Sequence, residues 1–175
     1  FMSGAALGAA LEEQLQLFAD IARELGAGIG HVKPHGALYT DAVVDASLAA
    51  TIATAVAAMP ERPPLVGQPD TELEYAANAQ GLDFIAEAFV DRAYREDGRL
   101  VPRSVQGAVH DDIDRIREQA VSLAVEGKTT GSAGDEVHVR ADTLCIHGDT
   151  PGAAEAARAV RAALEEAGVV INAIR

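Results

Sequence analysis

The chain has 175 residues, of which 49% are hydrophobic, and its 27 acidic and 14 basic residues give a formal net charge of -13. This length and apolar content predict one globular domain over residues 1–175. The negative charge argues against nucleic acids and anionic membranes as partners, because their phosphates would be repelled. The single cysteine, Cys145, excludes an internal disulfide and is typical of a reducing compartment. No signal peptide or transmembrane run of about 20 apolar residues is visible, so we expect a cytoplasmic protein.

The first half of the chain predicts helices that alternate with strands. Apolar residues at helical spacing predict a helix over 10–26, and a second, alanine-rich helix is predicted over 41–60. A helix over 69–81 starts near Pro69 and ends at Gly81. Short strands are predicted between these helices, over 29–36 and 64–68.

The second half continues the alternation. We predict strands over 82–91, 142–148 and 169–174, helices over 111–128 and 150–168, and a turn or small hairpin over 129–141. A polar loop occupies 92–107, and Thr150 is expected to be the N-cap of the last helix, with Pro151 at its first position. Repeated strand–helix units predict an α/β fold with a mostly parallel sheet.

Ionisable side chains interrupt three of the predicted strands near their carboxyl ends. They are Lys33 and His35 on the first strand, Glu87, Asp91 and Arg92 on or just after the second, and His147 and Asp149 on or just after the third. The carboxyl ends of parallel strands lie on one edge of a sheet or barrel, where such folds place active sites. A buried charge must be paired, hydrated or in contact with a ligand, so this edge is the candidate site.

Two interpretations of these residues stay open. Lys33 and Glu87 form a structural ion pair, or Lys33 binds the carboxylate or phosphate of a ligand. In the second case Glu87 or Asp149 serves as a base and His35 or His147 carries protons. The amino end of the helix after Thr150 would also favour an anion, although ordinary helix capping explains it equally well.

The remaining candidate groups suggest simpler roles. His138 lies in the predicted hairpin and is expected at the surface, and His110, just before an acidic first turn, is expected in a capping region. Cys145 is expected to be a packed thiol. No Walker loop, CxxC or HExxH motif is present, so we predict no metal ligands and no motif-bound cofactor in this chain.

Three blocks of the sequence resemble one known family. "HVKPHGALY", "EAFVDRAYREDGRLVPRS" and "DTLCIHGDTPGA" are together similar to the signature blocks of the LamB/YcsF family, in the same order and with similar spacing. The resemblance implies an irregular (β/α) barrel of mostly parallel strands, related to polysaccharide deacetylases. Blocks of the DLNxDxGE, CGFHAGD and GAHPGYPD kind, which begin family members, are not found. We therefore expect this chain to represent the C-terminal two-thirds of the barrel, incomplete at its N-terminus.

The resemblance also implies an activity and its residues. Family members are understood as the A subunit of the bacterial ATP-dependent 5-oxoprolinase, which opens the lactam of 5-oxo-L-proline to L-glutamate with two partner subunits. ATP, with magnesium implied, would be the co-substrate of that complex. The catalytic candidates carried over are Lys33, His35, Glu87, His147 and Asp149. The substrate-binding candidates carried over are Asp91, Arg92, Tyr94, Arg103 and Thr150.

Two alternative functions remain open at the level of the sequence. One is a metal-dependent amide or N-acetyl hydrolase with a deacetylase-like fold, whose ligands would come from the N-terminal blocks. The other is a non-catalytic subunit that binds 5-oxoproline for its partners. The alanine-rich helical surface also leaves a homodimer open.

Overall fold

The computed structural model describes residues 4–149 and 152–174, which divide into two compact units. Of the described residues, 4–85 and 174 belong to the first unit, and 86–149 and 152–173 belong to the second. Each unit has a hydrophobic core of its own. The expectation of a single domain over 1–175 stays a prediction.

The first unit consists mainly of helices. Its elements are α1 (Gly4–Glu24), α2 (Ala37–Ala42), α3 (Ala46–Ala57), β1 (Leu65–Gly67), α4 (Glu72–Ala79) and the first residues of β2 (Phe84–Phe89). Alanines allow α3 to pack closely, and Ala49 and Ala53 are completely buried. At one such approach, a side chain on Gly8 of α1 would meet Thr51 of α3 at 3.6 Å. The alanine bias of the sequence thus provides close helix packing.

The predicted helix over 41–60 is helical over Ala46–Ala57 but is not continuous, because the chain turns between Val43 and Asp45 and forms two helices. Asp45 adopts an extended conformation, and its carboxylate accepts hydrogen bonds from the N–H groups of Ser47 at 2.9 Å and Leu48 at 3.0 Å. These bonds satisfy two of the free N–H groups at the start of α3. An N-cap residue within a segment of apolar residues at helical spacing therefore divides that segment into two helices.

The predicted strand over 29–36 is reduced to a single parallel bridge between Val32 and Leu65. The N–H of Val32 donates to Pro64 O, and the N–H of Val66 donates to Val32 O, both at 2.9 Å. Pro34 has no N–H with which to extend the ladder, and Gly36, with φ of 60°, turns the chain into α2.

The apolar stripe of α1 is only partly covered. Leu11 and Leu15 pack against the core of the first unit. Phe18 is 60% exposed, Ile21 48% and Leu25 78%. Among the described residues, no helix is long and apolar enough to cross a membrane.

The second unit contains parallel strands covered by helices. Its elements are the rest of β2, α5 (Ile113–Val121), a π-helical turn (Ser122–Glu126), β3 (Lys128–Thr130), β4 (Glu136–His138), β5 (Thr143–Cys145) and α6 (Ala153–Glu166). β2 and β5 run parallel, with Glu87 opposite Thr143 and Phe89 opposite Cys145. The α/β class with parallel strands is therefore confirmed, and β3 and β4 form the expected antiparallel hairpin.

The last part of the chain differs from its prediction. α6 begins at Ala153, and Gly152, with φ of 82°, occupies the N-cap position that we expected for Thr150. Thr150 and Pro151 lie outside the described residues. Residues 169–174 form no strand. The N–H of Val169 instead donates to Leu164 O of α6 at 2.9 Å, so it is not available to a neighbouring strand.

Candidate functional site

The ends of β2 and β5 bring Asp91 next to His147 in the second unit. Nδ1 of His147 lies 2.8 Å from Oδ2 of Asp91 and 3.1 Å from Oδ1. The backbone N–H of His147 also donates to Oδ2, at 3.0 Å. Because a carboxylate only accepts hydrogen bonds, Nδ1 carries a proton, and in the neutral form of the ring Nε2 is an acceptor. This arrangement suits an imidazole that removes a proton from a neighbouring molecule.

The imidazole of His147 is held in place but can be reached from outside the protein. Its side chain is 25% exposed, whereas that of Asp91 is 4% exposed. The ring of Phe89 stacks on the imidazole, with centroids 5.6 Å apart and planes inclined by 19°. The exposed part of the ring therefore keeps one orientation, as a proton-transfer group requires.

A small cleft opens beside this pair, and we call it the Asp91 cleft. Its volume is about 50 Å³. The residues that line it are Asp91, His110, Asp111, Ile113, Ile116, Ile146, His147, Gly152, Ala153 and Ala156. Polar groups from the ends of β2 and β5 thus face apolar side chains of α5 and α6 across a space for a small chemical group.

His110 lies in the Asp91 cleft rather than in the capping region that we expected. Its backbone N–H donates to Asp91 O at 2.9 Å, and its residue is only 3% exposed. Asp112 is the N-cap of α5 and accepts from the N–H of Asp114 at 2.9 Å. Burial lowers the pKa of His110, and the charge of Arg115 acts in the same direction, which favours the neutral imidazole.

The side chains of Arg92 and Tyr94 support the backbone around the site. The guanidinium of Arg92 donates to Val101 O at 2.7 Å and to Ala108 O at 3.2 Å. The hydroxyl oxygen of Tyr94 accepts from the N–H of Phe89 at 2.6 Å. Burial lowers the pKa of Arg92 and raises the pKa of Tyr94. Their predicted role in binding substrate stays a prediction.

Gln119 is a supporting residue that the sequence analysis did not identify. From α5, its side-chain amide donates to the carbonyls of Phe89 at 2.8 Å, Val90 at 3.2 Å and Arg92 at 2.8 Å. Its amide oxygen accepts from the hydroxyl of Thr129 at 3.0 Å. The position of Gln119 on the buried face of α5, beside Ile116 and Ala120, was the available signal. One side chain thus holds the end of β2 and the following residues up to Arg92, the segment that contains Asp91.

Arg103 and Asp149 form an exposed ion pair of 3.4 Å. The hydrogen bond from Arg103 lowers the pKa of Asp149. The pair is well hydrated, so its contribution to stability is small. Thr150, which we predicted to contact the substrate, lies outside the described residues.

The other predicted catalytic residues are not among those that line the Asp91 cleft. Glu87 is buried on β2, opposite Thr143. Lys33 and His35 belong to the first unit, where the ammonium of Lys33 lies 5.8 Å from the centre of the Tyr39 ring and His35 is exposed. The joint action of Lys33 and His35 with the carboxylates and the histidine of the second unit stays a prediction.

Residues 4–149 and 152–174 contain no group of three or more His, Cys, Asp or Glu side chains that could hold a metal ion. The carboxylate–imidazole pair of the Asp91 cleft is suited to proton transfer and hydrogen bonding.

Comparison with known proteins gives consistent matches. The 5-oxoprolinase A subunit of Streptomyces griseus is 47% identical over 159 residues, which cover 91% of this chain and 62% of that protein. The 5-oxoprolinase A subunit of Thermus thermophilus is 45% identical over 168 residues, which cover 90% of this chain and 67% of that protein. The crystal structure of a lactam utilization protein from Thermus thermophilus matches with a TM-score of 0.91 and 43% identity, over 98% of this chain and 68% of that one.

The chain thus spans about three-fifths to two-thirds of the length of these relatives. The sequence profile of the LamB/YcsF family matches residues 2–175. With this match and this degree of identity, the chain belongs to the LamB/YcsF family, as its three signature blocks predicted.

Proposed function

We propose that this chain is part of the A subunit of an ATP-dependent 5-oxoprolinase, a hydrolase that opens the lactam of 5-oxo-L-proline to L-glutamate. The observation that carries the proposal is the hydrogen-bonded pair of Asp91 and His147 at the mouth of a small cleft. The names of the relatives support the substrate class.

In this proposal the Asp91–His147 pair activates water. Asp91 holds the Nδ1 proton of His147, so that Nε2 accepts a proton from a water molecule. The water oxygen then bonds to the lactam carbonyl carbon, and the carbon–nitrogen bond of the ring breaks. The nitrogen receives a proton and becomes the amino group of glutamate. The imidazolium that forms is stabilised by the Asp91 carboxylate.

The Asp91 cleft does not fit the triphosphate of ATP. Its volume is about 50 Å³, and its lining includes two carboxylates, Asp91 and Asp111, but neither lysine nor arginine. Phosphate groups need cations or free backbone N–H groups around them. We therefore propose that ATP and its magnesium ion bind elsewhere in the assembly, which would include two partner subunits.

Arg103 is the group that we propose for the carboxylate of 5-oxoproline. It is an exposed guanidinium, bound at 3.4 Å to Asp149, two residues after His147. A ligand carboxylate can replace Asp149 with a bidentate contact to the guanidinium, which is stronger than the present single contact. The anion would then be bound by a cation near the proton-transfer group.

The test is a reconstituted complex of the full-length protein and its partner subunits. We expect the His147→Gln variant to reduce kcat for glutamate formation by about 10²- to 10⁴-fold, because the proton acceptor is lost. The matched control is His138→Gln, since His138 is an exposed residue of the β3–β4 hairpin. Circular dichroism of both variants would confirm that they fold.

Other outcomes would favour the alternative functions. If the protein binds 5-oxoproline and the His147→Gln complex turns over at the wild-type rate, the chain binds substrate without catalysing its hydrolysis. A transition metal retained stoichiometrically by the full-length protein, and required for turnover, would favour a metal-dependent amide hydrolase.

A further inference from the structure

His110 is a buried polar side chain whose hydrogen-bonding capacity is unused. Its residue is 3% exposed, and neither ring nitrogen has a hydrogen-bond partner among the described residues. The nearby amide of Gln119 acts to raise the pKa of His110, but it meets hydrogen-bond geometry with neither ring nitrogen and is already engaged by three backbone carbonyls and by Thr129. Buried polar groups nearly always have a partner, so an imidazole with two unused nitrogens beside a cleft indicates a ligand.

The backbone holds His110 firmly at this position. Its N–H donates to Asp91 O, and the preceding residue, Val109, forms an antiparallel bridge with Arg92. The side chain of His110 therefore projects from the same short antiparallel pairing of two segments that positions Asp91. Both histidines of the Asp91 cleft, His110 and His147, are thus attached to this aspartate through hydrogen bonds.

The chemistry of the lining defines which group would fit beside His110. A neutral imidazole offers one donor and one acceptor. The carboxylates of Asp91 and Asp111 would repel an anion. The remaining lining is largely apolar, with Ile113, Ile116 and Ile146. A small, uncharged group with its own donor and acceptor, such as an amide, meets these conditions.

We propose that His110 hydrogen-bonds the amide group of the lactam during ring opening, while His147 accepts the proton of the attacking water. This inference rests on the proposed function and adds a second functional histidine to it. A hydrogen bond from His110 to the carbonyl oxygen stabilises the negative charge that develops there when water adds. His110 is thereby a substrate-contacting residue, and the cleft recognises the cyclic amide rather than the carboxylate.

The direct test follows the ring nitrogens of His110 by NMR in the full-length protein labelled with ¹⁵N-histidine. The His110→Gln variant assigns the signals by their absence. We expect 5-oxoproline to shift the His110 signals in a saturable manner. Cyclopentanecarboxylate, which shares the ring and carboxylate but lacks the amide, should leave them unmoved. If His110 were only a structural residue from which a ligand displaces water, 5-oxoproline and cyclopentanecarboxylate would shift its signals alike.

A kinetic test accompanies the titration. In the reconstituted complex, we expect His110→Phe to lower kcat/KM by about 10²-fold, the usual effect of removing one donor to a developing oxyanion. His110→Gln, which keeps a donor, should lose less, and His138→Phe serves as the control on an exposed histidine. If His110→Phe does not fold, the NMR titration of the wild-type protein decides whether His110 contacts the amide of the ligand.

The two proposals fail in distinguishable ways. If the wild-type complex forms glutamate but 5-oxoproline leaves the His110 signals unmoved, the role of His110 is overturned and the proposed function stands. If the signals move equally with cyclopentanecarboxylate, recognition of the amide is overturned. If the wild-type complex forms no glutamate from 5-oxoproline, both proposals are overturned together.

Discussion

Oδ2 of Asp91 accepts two hydrogen bonds from His147, one from the backbone N–H at 3.0 Å and one from Nδ1 at 2.8 Å. The first bond fixes the position of the residue just beyond β5, and the second fixes the orientation of its ring. One carboxylate therefore joins the end of β2 to the chain after β5 and also prepares the imidazole for proton transfer. Structure and chemistry depend on the same side chain.

Replacing Asp91 with asparagine should separate these two effects. The amide has only one accepting oxygen, so at least one of the bonds to His147 weakens and the preferred tautomer is lost. We expect kcat of the complex to fall by about 10²- to 10⁴-fold. The free energy of unfolding should fall by about 1–3 kcal/mol, since a buried hydrogen bond is lost. The control is Asp135→Asn on an exposed residue, and wild-type turnover by Asp91→Asn would contradict the proposed role.

Gln119→Leu should destabilise the protein strongly. Three buried carbonyls lose their donor, and an unsatisfied buried group costs about 1–3 kcal/mol, so we expect a total loss of about 3 kcal/mol. Thr129→Val removes only the single bond to the amide oxygen and should cost about 1 kcal/mol. Urea denaturation measures both. Equal destabilisation by the two variants would show that Gln119 does not hold the end of β2.

Gly67→Ala should destabilise the first unit by overpacking. A Cβ at this position would lie 2.7 Å from Cδ2 of Leu73 and 3.1 Å from Cζ of Phe84. Both side chains pack in the core, so relief requires movement of the core, and we expect a loss of about 1–3 kcal/mol. A Cβ on Gly28 would meet no heavy atom within 4 Å beyond its chain neighbours, so Gly28→Ala should be nearly neutral. Similar melting temperatures for both variants would refute this account.

The pKa of Asp149 should depend on Arg103. The hydrogen bond from Arg103 holds the pKa of the Asp149 carboxyl below its ordinary value. A lowered folded-state pKa stabilises the protein above the unfolded-state pKa, about 3.9 for aspartate, and this stabilisation is lost as the pH falls through the folded-state pKa. In Arg103→Gln, NMR titration should show the pKa of Asp149 returning toward its ordinary value. An unchanged titration curve would mean that the pair does not form in solution.

The site illustrates how far residue patterns can predict chemistry. Asp91 and His147 are predicted as polar residues on or just after two strand ends, and parallel strands end at the same edge. Their bond to each other was not predicted, and Asp91 had been assigned to substrate binding. His110 was expected in a capping region because aspartates follow it, yet the N-cap of α5 is Asp112. Gln119 was missed since a glutamine within a helix usually faces solvent.

The amino-acid sequence by itself determined the family, the α/β class and the positions of most helices and strands. These properties follow from local periodicity and from short blocks of neighbouring residues. Only the tertiary structure decided that Asp91 orients His147, and that His110 lies in the cleft with no hydrogen-bond partner for its ring nitrogens among the described residues. Such contacts join residues far apart in the chain, and whether a polar group is buried or partnered depends on what folds against it.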